Sequence, residues 1–122
     1  MKAVYATGTN YDDPLSVLEV GTMPEPETKP FWSTIRVNSA SVNHHDVWSL
    51  QGVGLADEQT PMILGTDAAG VLEEDIPVRK GLKAGSEVVL YTFVGTDGAG
   101  VMPGERRSIL SERYAGTMAE FT

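Results

Sequence analysis

Apolar and polar residues alternate over short stretches of this chain, which is typical of β-strands with one buried face. In Thr34–Val42 the alternation is clearest, because Ile35 and Val37 share one face and polar residues take the other. The 13 glycines and 7 prolines divide the chain into short pieces, as in turn-rich β proteins. Further strands are predicted at Lys2–Thr7, Leu15–Val20, Gly65–Leu72, Glu87–Phe93 and Gly116–Thr122.

One segment follows a helical rather than a strand pattern. Its apolar residues fall at the spacing of about two helical turns within Asn43–Gln51, at Val47, Trp48 and Leu50. Asn43 is the predicted N-cap and Gly52 the predicted stop. A short helix is therefore expected directly after the strand at Thr34–Val42.

Small residues and loops complete the predicted fold. The run of small residues within Gly65–Leu72 indicates close approach of another backbone or a ligand. Pro24–Pro30 is predicted to be a loop, and so is the glycine-rich segment Gly95–Gly104. The sum is a mostly β domain with one short helix, arranged as a barrel or closed roll.

Length and charge exclude several classes of protein. With 122 residues, the chain has room for one ordinary domain. The formal net charge of −8, without a basic patch, argues against nucleic-acid binding. There is no long apolar run, so neither a signal peptide nor a membrane span is expected. The sequence has no cysteine, which excludes disulfides and thiolate zinc sites and favours the cytoplasm.

The candidate chemistry begins with the only two histidines, His44 and His45. Adjacent side chains do not share a face of a helix or strand, so they are a poor pair of ligands for one metal ion. A mixed site with Asp46 and Asp67 is conceivable, but zinc usually needs more nitrogen or sulfur ligands. The simpler interpretation is that one histidine packs locally and the other faces solvent.

Asp67 lies among small residues in Gly65–Leu72. A buried carboxylate there either stabilises the local backbone or orients a catalytic group. The glycines of Gly95–Gly100 do not form a phosphate loop, because no suitable helix and lysine follow them.

Five short motifs, in order along the chain, resemble the medium-chain dehydrogenase/reductase superfamily. They are Met1–Val4, the segment Ala40-Ser41-Val42-Asn43-His44-His45-Asp46, the run Pro61–Val71, the strand start Gly85-Ser86-Glu87-Val88-Val89, and Gly116-Thr117-Met118-Ala119-Glu120-Phe121. The resemblance implies that residues 1–122 are the N-terminal domain, a GroES-like, partly open β-barrel that forms the substrate side of a cleft. The following Rossmann domain, which would bind NAD or NADP, is expected to be missing, so the chain is expected to be truncated and inactive alone.

Within this superfamily, zinc-dependent members carry a cysteine where this chain has Asn43, and a Gly-His-Glu triplet where it has Gly65-Thr66-Asp67. The pattern is instead similar to the zinc-free quinone oxidoreductases, which implies no zinc. The resemblance assigns Asn43, His45 and Asp46 as catalytic residues: Asn43 would polarise the substrate carbonyl and His45 would donate a proton. It assigns His44, Trp48, Thr66 and Asp67 to the cleft. Trp48 either walls the cleft or packs in the core, whereas Tyr91 is expected in the core.

The expected partner is a small quinone, enone or other activated carbonyl. Two alternatives stay open: a free-standing GroES-like binding or assembly module, and a zinc alcohol dehydrogenase with unusual ligands. We also expect a homo-oligomer, or self-association through an exposed domain face with an unpaired strand edge near Phe121.

Overall fold

The computed structural model describes residues 1–30, 32–76, 80–95 and 107–122. Its strands, in chain order, are β1 (Lys2–Ala6), β2 (Leu18–Thr22), β3 (Ile35–Ala40), β4 (Met62–Ile63), β5 (Ala68–Leu72), β6 (Glu87–Val89), β7 (Phe93–Val94) and β8 (Ser108–Ile109). The α-helix α1 spans His44–Leu50, and 3₁₀ turns lie at Pro14–Val17 and Asp57–Gln59. None of the helices in the described residues is long and apolar enough to cross a membrane.

The strands form small antiparallel sheets in the orders β2-β1-β4, β3-β5-β6 and β7-β8. The last residues of the chain connect the first two sheets. Ala119 bridges Ala3 of β1, and Phe121 bridges Arg36 of β3. The described residues therefore form a mostly β, partly open fold with one helix, as predicted.

A small apolar core lies beneath α1. Its buried members come from the helix, from β1 and from the segment that leads through β4: Ala6, Leu50, Leu55, Met62 and Leu64. This core fixes the inner face of α1, so the position of the helix N-terminus, where the candidate residues lie, is set by packing.

The short helix is confirmed, with Asn43 at its N-cap and Gly52 just beyond its end at φ 85°. The close backbone approach in Gly65–Leu72 is confirmed as well. A Cβ atom at Gly70 would collide with the carbonyl oxygen of Arg36 on the neighbouring strand.

Three strand predictions need correction. Leu15–Val20 begins as a 3₁₀ turn because Pro14 favours a first helical position, and strand pairing with β1 starts only at Leu18. Glu87–Phe93 is interrupted after Val89: Leu90 still donates its backbone N–H to Ala68 of β5 at 2.8 Å, and Phe93 belongs to β7, whose partner is β8. Gly116–Thr122 is not one continuous strand, because its partner changes from β1 to β3.

Two further expectations were wrong. The edge near Phe121 is not unpaired, because Phe121 bridges Arg36. Tyr91 is not a core residue, since 66% of its surface is exposed. Self-association through another face stays a prediction. Of the predicted loop Gly95–Gly104, only Gly95 belongs to the described residues.

Candidate functional site

The side-chain amide of Asn43 lies at the centre of a polar cluster at the N-terminus of α1. Its Nδ2 atom donates to Asp67 Oδ2 at 2.9 Å and to Thr66 Oγ1 at 3.1 Å. A longer contact of 3.3 Å reaches Ser41 Oγ. We call these four residues the Asn43 cluster: Ser41, Asn43, Thr66 and Asp67. The structure thus brings together three residues that the sequence assigned to the site, and it adds Ser41.

Asp67 is the only carboxylate in the Asn43 cluster. Its Oδ1 atom accepts from Ser41 Oγ at 2.5 Å and from the Ser41 backbone N–H at 3.3 Å. These bonds from Ser41, and then the bond from Asn43, lower the pKa of Asp67, whereas partial burial opposes that shift. Its backbone carbonyl accepts from Thr117 Oγ1 at 2.8 Å. The carboxylate of Asp67 is therefore oriented by side chains of residues 41–43, which also favour its ionised form, and its backbone is held by Thr117.

Asp46 has a different position from Asn43 and Asp67. It is 4% exposed, and its Oδ2 atom accepts the backbone N–H of Asn43 at 2.7 Å. Its Oδ1 atom accepts the backbone N–H of Gly65 at 2.9 Å. Both oxygens of the carboxylate thus join the start of α1 to the turn before β5. Both oxygens are thus engaged by backbone N–H groups, and the assignment of Asp46 as a catalytic residue stays a prediction.

Gly65 makes this turn possible. It has φ 96°, in the left-handed region, and a Cβ atom there would approach Thr117 Oγ1 to 2.5 Å and the Met118 backbone nitrogen to 2.9 Å. A side chain at this position would therefore displace the N–H that Asp46 binds, and with it the neighbouring Thr66 and Asp67.

His45 belongs to a second cluster. Its Nε2 atom lies 3.2 Å from Glu112 Oε1, and the two side chains are 17% and 25% exposed. Its Nδ1 atom lies 3.4 Å from the hydroxyl oxygens of both Ser49 and Ser111. We call these residues the His45 cluster: His45, Ser49, Ser111 and Glu112. Two of the predicted catalytic residues, Asn43 and His45, therefore lie in different networks.

Glu112 was missed by sequence reasoning. It is anchored through its backbone carbonyl, which accepts from Gln59 Nε2 at 2.8 Å. Its side chain passes over Gly54, where a Cβ atom would collide with the carboxylate. No motif marks this residue, because 67 positions separate it from His45 and only the folded chain brings them together.

Two members of the His45 cluster, His45 and Glu112, line an open cavity of about 500 Å³. Its other lining residues are the apolar side chains of Phe93, Val94 and Ile109, together with Arg107 and Ser108. A volume of this size lies within the range of small-molecule sites.

His44 and Trp48 lie outside both clusters. Their rings are 4.9 Å apart in an edge-on arrangement with an interplanar angle of 68°. His44 is exposed, and 48% of the surface of Trp48 is exposed. Neither side chain lines the described cavity beside His45, so their assignment to the cleft is a prediction only.

The residues of the Asn43 cluster do not fit a catalytic zinc ion. Such an ion needs three protein ligands with lone pairs directed at it. Asn43 directs a donor nitrogen at Asp67, and the nearest imidazole faces Glu112 instead. Within the described ranges, no group of three His, Cys, Asp or Glu side chains could hold a metal ion.

Comparison with known proteins identifies the class of this domain. The model of the alcohol dehydrogenase GroES-like domain family matches residues 29–122. The chain therefore belongs to that family, and it is an N-terminal GroES-like domain of the medium-chain dehydrogenase/reductase superfamily, as the motifs predicted. No curated protein sequence matches it.

Solved structures agree with this assignment. An NAD-dependent alcohol dehydrogenase is 32% identical, with a TM-score of 0.78, and the match covers 100% of this chain and 36% of that protein. A cobalt- and zinc-bound thermostable alcohol dehydrogenase from Pyrobaculum aerophilum is 26% identical, with a TM-score of 0.77 and coverage of 100% and 38%. The quinone oxidoreductase from Coxiella burnetii shares the fold, with 24% identity, a TM-score of 0.67 and coverage of 99% and 33%. The chain thus spans about a third of the length of these enzymes.

Proposed function

We propose that this domain is the substrate side of an NAD(P)H-dependent oxidoreductase that reduces quinones, enones or related carbonyls without catalytic zinc. The observation that carries the proposal is the 2.9 Å hydrogen bond from Asn43 Nδ2 to Asp67 Oδ2. By the resemblance of the sequence motifs, Asn43 stands where zinc-dependent members of the superfamily carry a cysteine, and Asp67 stands at the last position of their Gly-His-Glu triplet. The dehydrogenase neighbours support the wider class, oxidoreductase.

The Asn43 amide is suited to stabilise negative charge on a substrate oxygen. Hydride arriving at an activated carbonyl places charge on that oxygen, and fixed hydrogen-bond donors stabilise it. Asp67 fixes the direction of the amide through the shortest of its three contacts. Because the amide nitrogen carries only two N–H groups, we expect a substrate oxygen to displace Thr66 and Ser41 from the second one.

His45 is suited to supply the proton that completes the reduction. His45 and Glu112 both line the cavity of about 500 Å³, and Nε2 of the ring faces the Glu112 carboxylate. We expect Nε2 to deliver the proton when a substrate oxygen takes the place of that carboxylate. Ser49 and Ser111 constrain the other ring nitrogen. His45 and Asn43 would thus act from neighbouring networks rather than as one relay.

A nicotinamide cofactor would supply the hydride. The printed sequence contains no G-x-G-x-x-G turn after a strand, so this chain does not contribute the phosphate-binding part of such a site. What its own residues contribute is orientation of the substrate and control of one proton.

The test uses the whole protein that carries this domain, assayed for oxidation of NADPH and NADH with a quinone before and after exhaustive chelation. Activity should survive chelation, and metal analysis should find no stoichiometric zinc. Loss of activity that zinc restores, with about one zinc per chain, would instead establish the zinc alcohol dehydrogenase alternative.

A matched pair of asparagine variants sharpens this assay. Asn43→Ala should lower kcat by about a hundredfold, because it removes an oxyanion donor. Asn38→Ala, at an exposed position of β3, should leave kcat unchanged. Equal effects of the two substitutions would contradict the role of Asn43.

A further inference from the structure

A second cavity, of about 420 Å³, lies apart from both polar clusters. It opens between the loop that precedes β3 and the segment after β8. Its floor is aliphatic, formed by Ile35, Leu90, Val94 and Leu110. Val94 also lines the cavity beside His45, so the two cavities adjoin at this residue.

One wall of this second cavity is aromatic. The ring centroids of Trp32 and Tyr114 are 5.2 Å apart, and the rings are inclined by 37°. The ammonium group of Lys29 lies 5.2 Å from the first centroid and 5.3 Å from the second. Both distances are within the range of cation–π attraction. The two rings therefore hold Lys29 in place at the cavity.

The charge of Lys29 is not neutralised by an ion pair with any carboxylate in the described part of the chain. Arg113 adds a second positive charge to the lining, and Glu27 adds one negative charge. This local excess of positive charge is unusual in a chain whose formal net charge is −8. Because Lys29 already occupies the aromatic pair, a cationic ligand would be repelled and an anionic ligand attracted.

We propose that this cavity binds a flat, conjugated carboxylate. Its ring system would lie over the aliphatic side chains beside Trp32 and Tyr114, and its carboxylate would pair with Lys29, which those two rings hold. The volume of about 420 Å³ lies within the range of small-molecule sites. The site needs neither the Asn43 cluster nor a nicotinamide cofactor, so it is independent of the proposed redox function.

The probes are 2-naphthoate and its uncharged analogue 2-naphthamide, titrated into the 122-residue chain. The chain has two tryptophans, so Trp48→Phe leaves Trp32 as the fluorescent reporter in the cavity wall. We expect 2-naphthoate to quench Trp32 fluorescence and to bind about tenfold more tightly than 2-naphthamide.

Two lysine variants with the same net charge test whether the preference for 2-naphthoate depends on Lys29 itself or on the overall charge of the chain. Lys29→Met, which keeps the aliphatic stem, should abolish the preference for the carboxylate. Lys83→Met, at an exposed position outside the cavity, should retain it. Absence of binding, equal affinity for the two probes, or equal effects of the two substitutions would each overturn the proposal.

Discussion

Asn43 and His45 are separated by a single residue, yet they belong to networks of different character. The Asn43 amide points into a set of hydrogen-bonded side chains, in which Asp67 accepts from both Ser41 and Asn43. The His45 ring points the other way, toward Glu112 and a cavity. Residues at i and i+2 of a helix do not face each other, so the start of α1 serves two sites at once.

Asp46 explains how the Asn43 cluster keeps its geometry. Its buried carboxylate joins the backbone of the N-cap Asn43 to the turn before β5. The two aspartates beside Asn43 therefore differ in role. Asp46 binds backbone N–H groups and sets position, whereas Asp67 binds side chains and sets charge.

The largest expected effect is a loss of stability when the hydrogen bonds to the Asp46 carboxylate are removed. Asp46→Asn replaces one acceptor oxygen with a donor that faces a backbone N–H, leaving a buried group without its hydrogen bond. We expect the free energy of unfolding to fall by about 2 kcal/mol, measured by chemical denaturation. Asp12→Asn, at an exposed position, should change it by less than about 0.5 kcal/mol. Equal stabilities for the two variants would show that Asp46 does not support the site.

The His45 cluster should respond to local changes that leave the Asn43 cluster intact. Because a carboxylate only accepts hydrogen bonds, the neutral ring of His45 should carry its proton on Nε2. Nitrogen NMR under alkaline conditions reports this tautomer, and the exposed His44 serves as an internal reference. Glu112→Ala should remove the preference of the neutral His45 ring for the tautomer protonated on Nε2. A ring protonated on Nδ1 in the unsubstituted protein would contradict the pairing.

Two glycine variants provide the matched control for that measurement. Gly54→Ala introduces a Cβ atom that collides with the Glu112 carboxylate, so the tautomer preference of His45 should weaken. Gly52 has nearly the same backbone conformation, φ 85° against 84°, but its added Cβ would meet only Thr9 at 3.4 Å. Gly52→Ala should therefore strain the backbone similarly and leave His45 unchanged.

A structural feature of this chain can be predicted from the sequence when the residues that form it are close together in the sequence. Local signals were sufficient for α1 and its Asn43 cap, and for the small residue at Gly70. The ends of the strands were less predictable, because they depend on where a partner strand stops, as at Thr22, which pairs with Lys2 at the start of β1.

The same contrast holds for the candidate site. Motifs indicated Asn43, Thr66 and Asp67, which the fold then brought together. They could not indicate Glu112, whose partner is distant in sequence, nor the direction of the His45 ring. Side-chain direction at the helix start depends on packing that no local pattern encodes.

The smallest expected effect concerns the charge of Asp67. Its pKa is lowered in the folded state, chiefly by Ser41 and next by Asn43. The ionised form therefore stabilises the fold above the unfolded pKa of about 4. That contribution is lost as the pH falls from there through the lower folded value.

Ser41→Ala should raise the pKa of Asp67 toward its usual value and make the loss of stability in acid shallower. Carboxyl-carbon NMR titration and denaturation at several acidic pH values measure the two effects. Ser39→Ala, on the exposed part of β3, should change neither the pKa of Asp67 nor the stability in acid. If the Ser41→Ala and Ser39→Ala variants gave the same Asp67 titration, the charge of Asp67 would not depend on the Asn43 cluster.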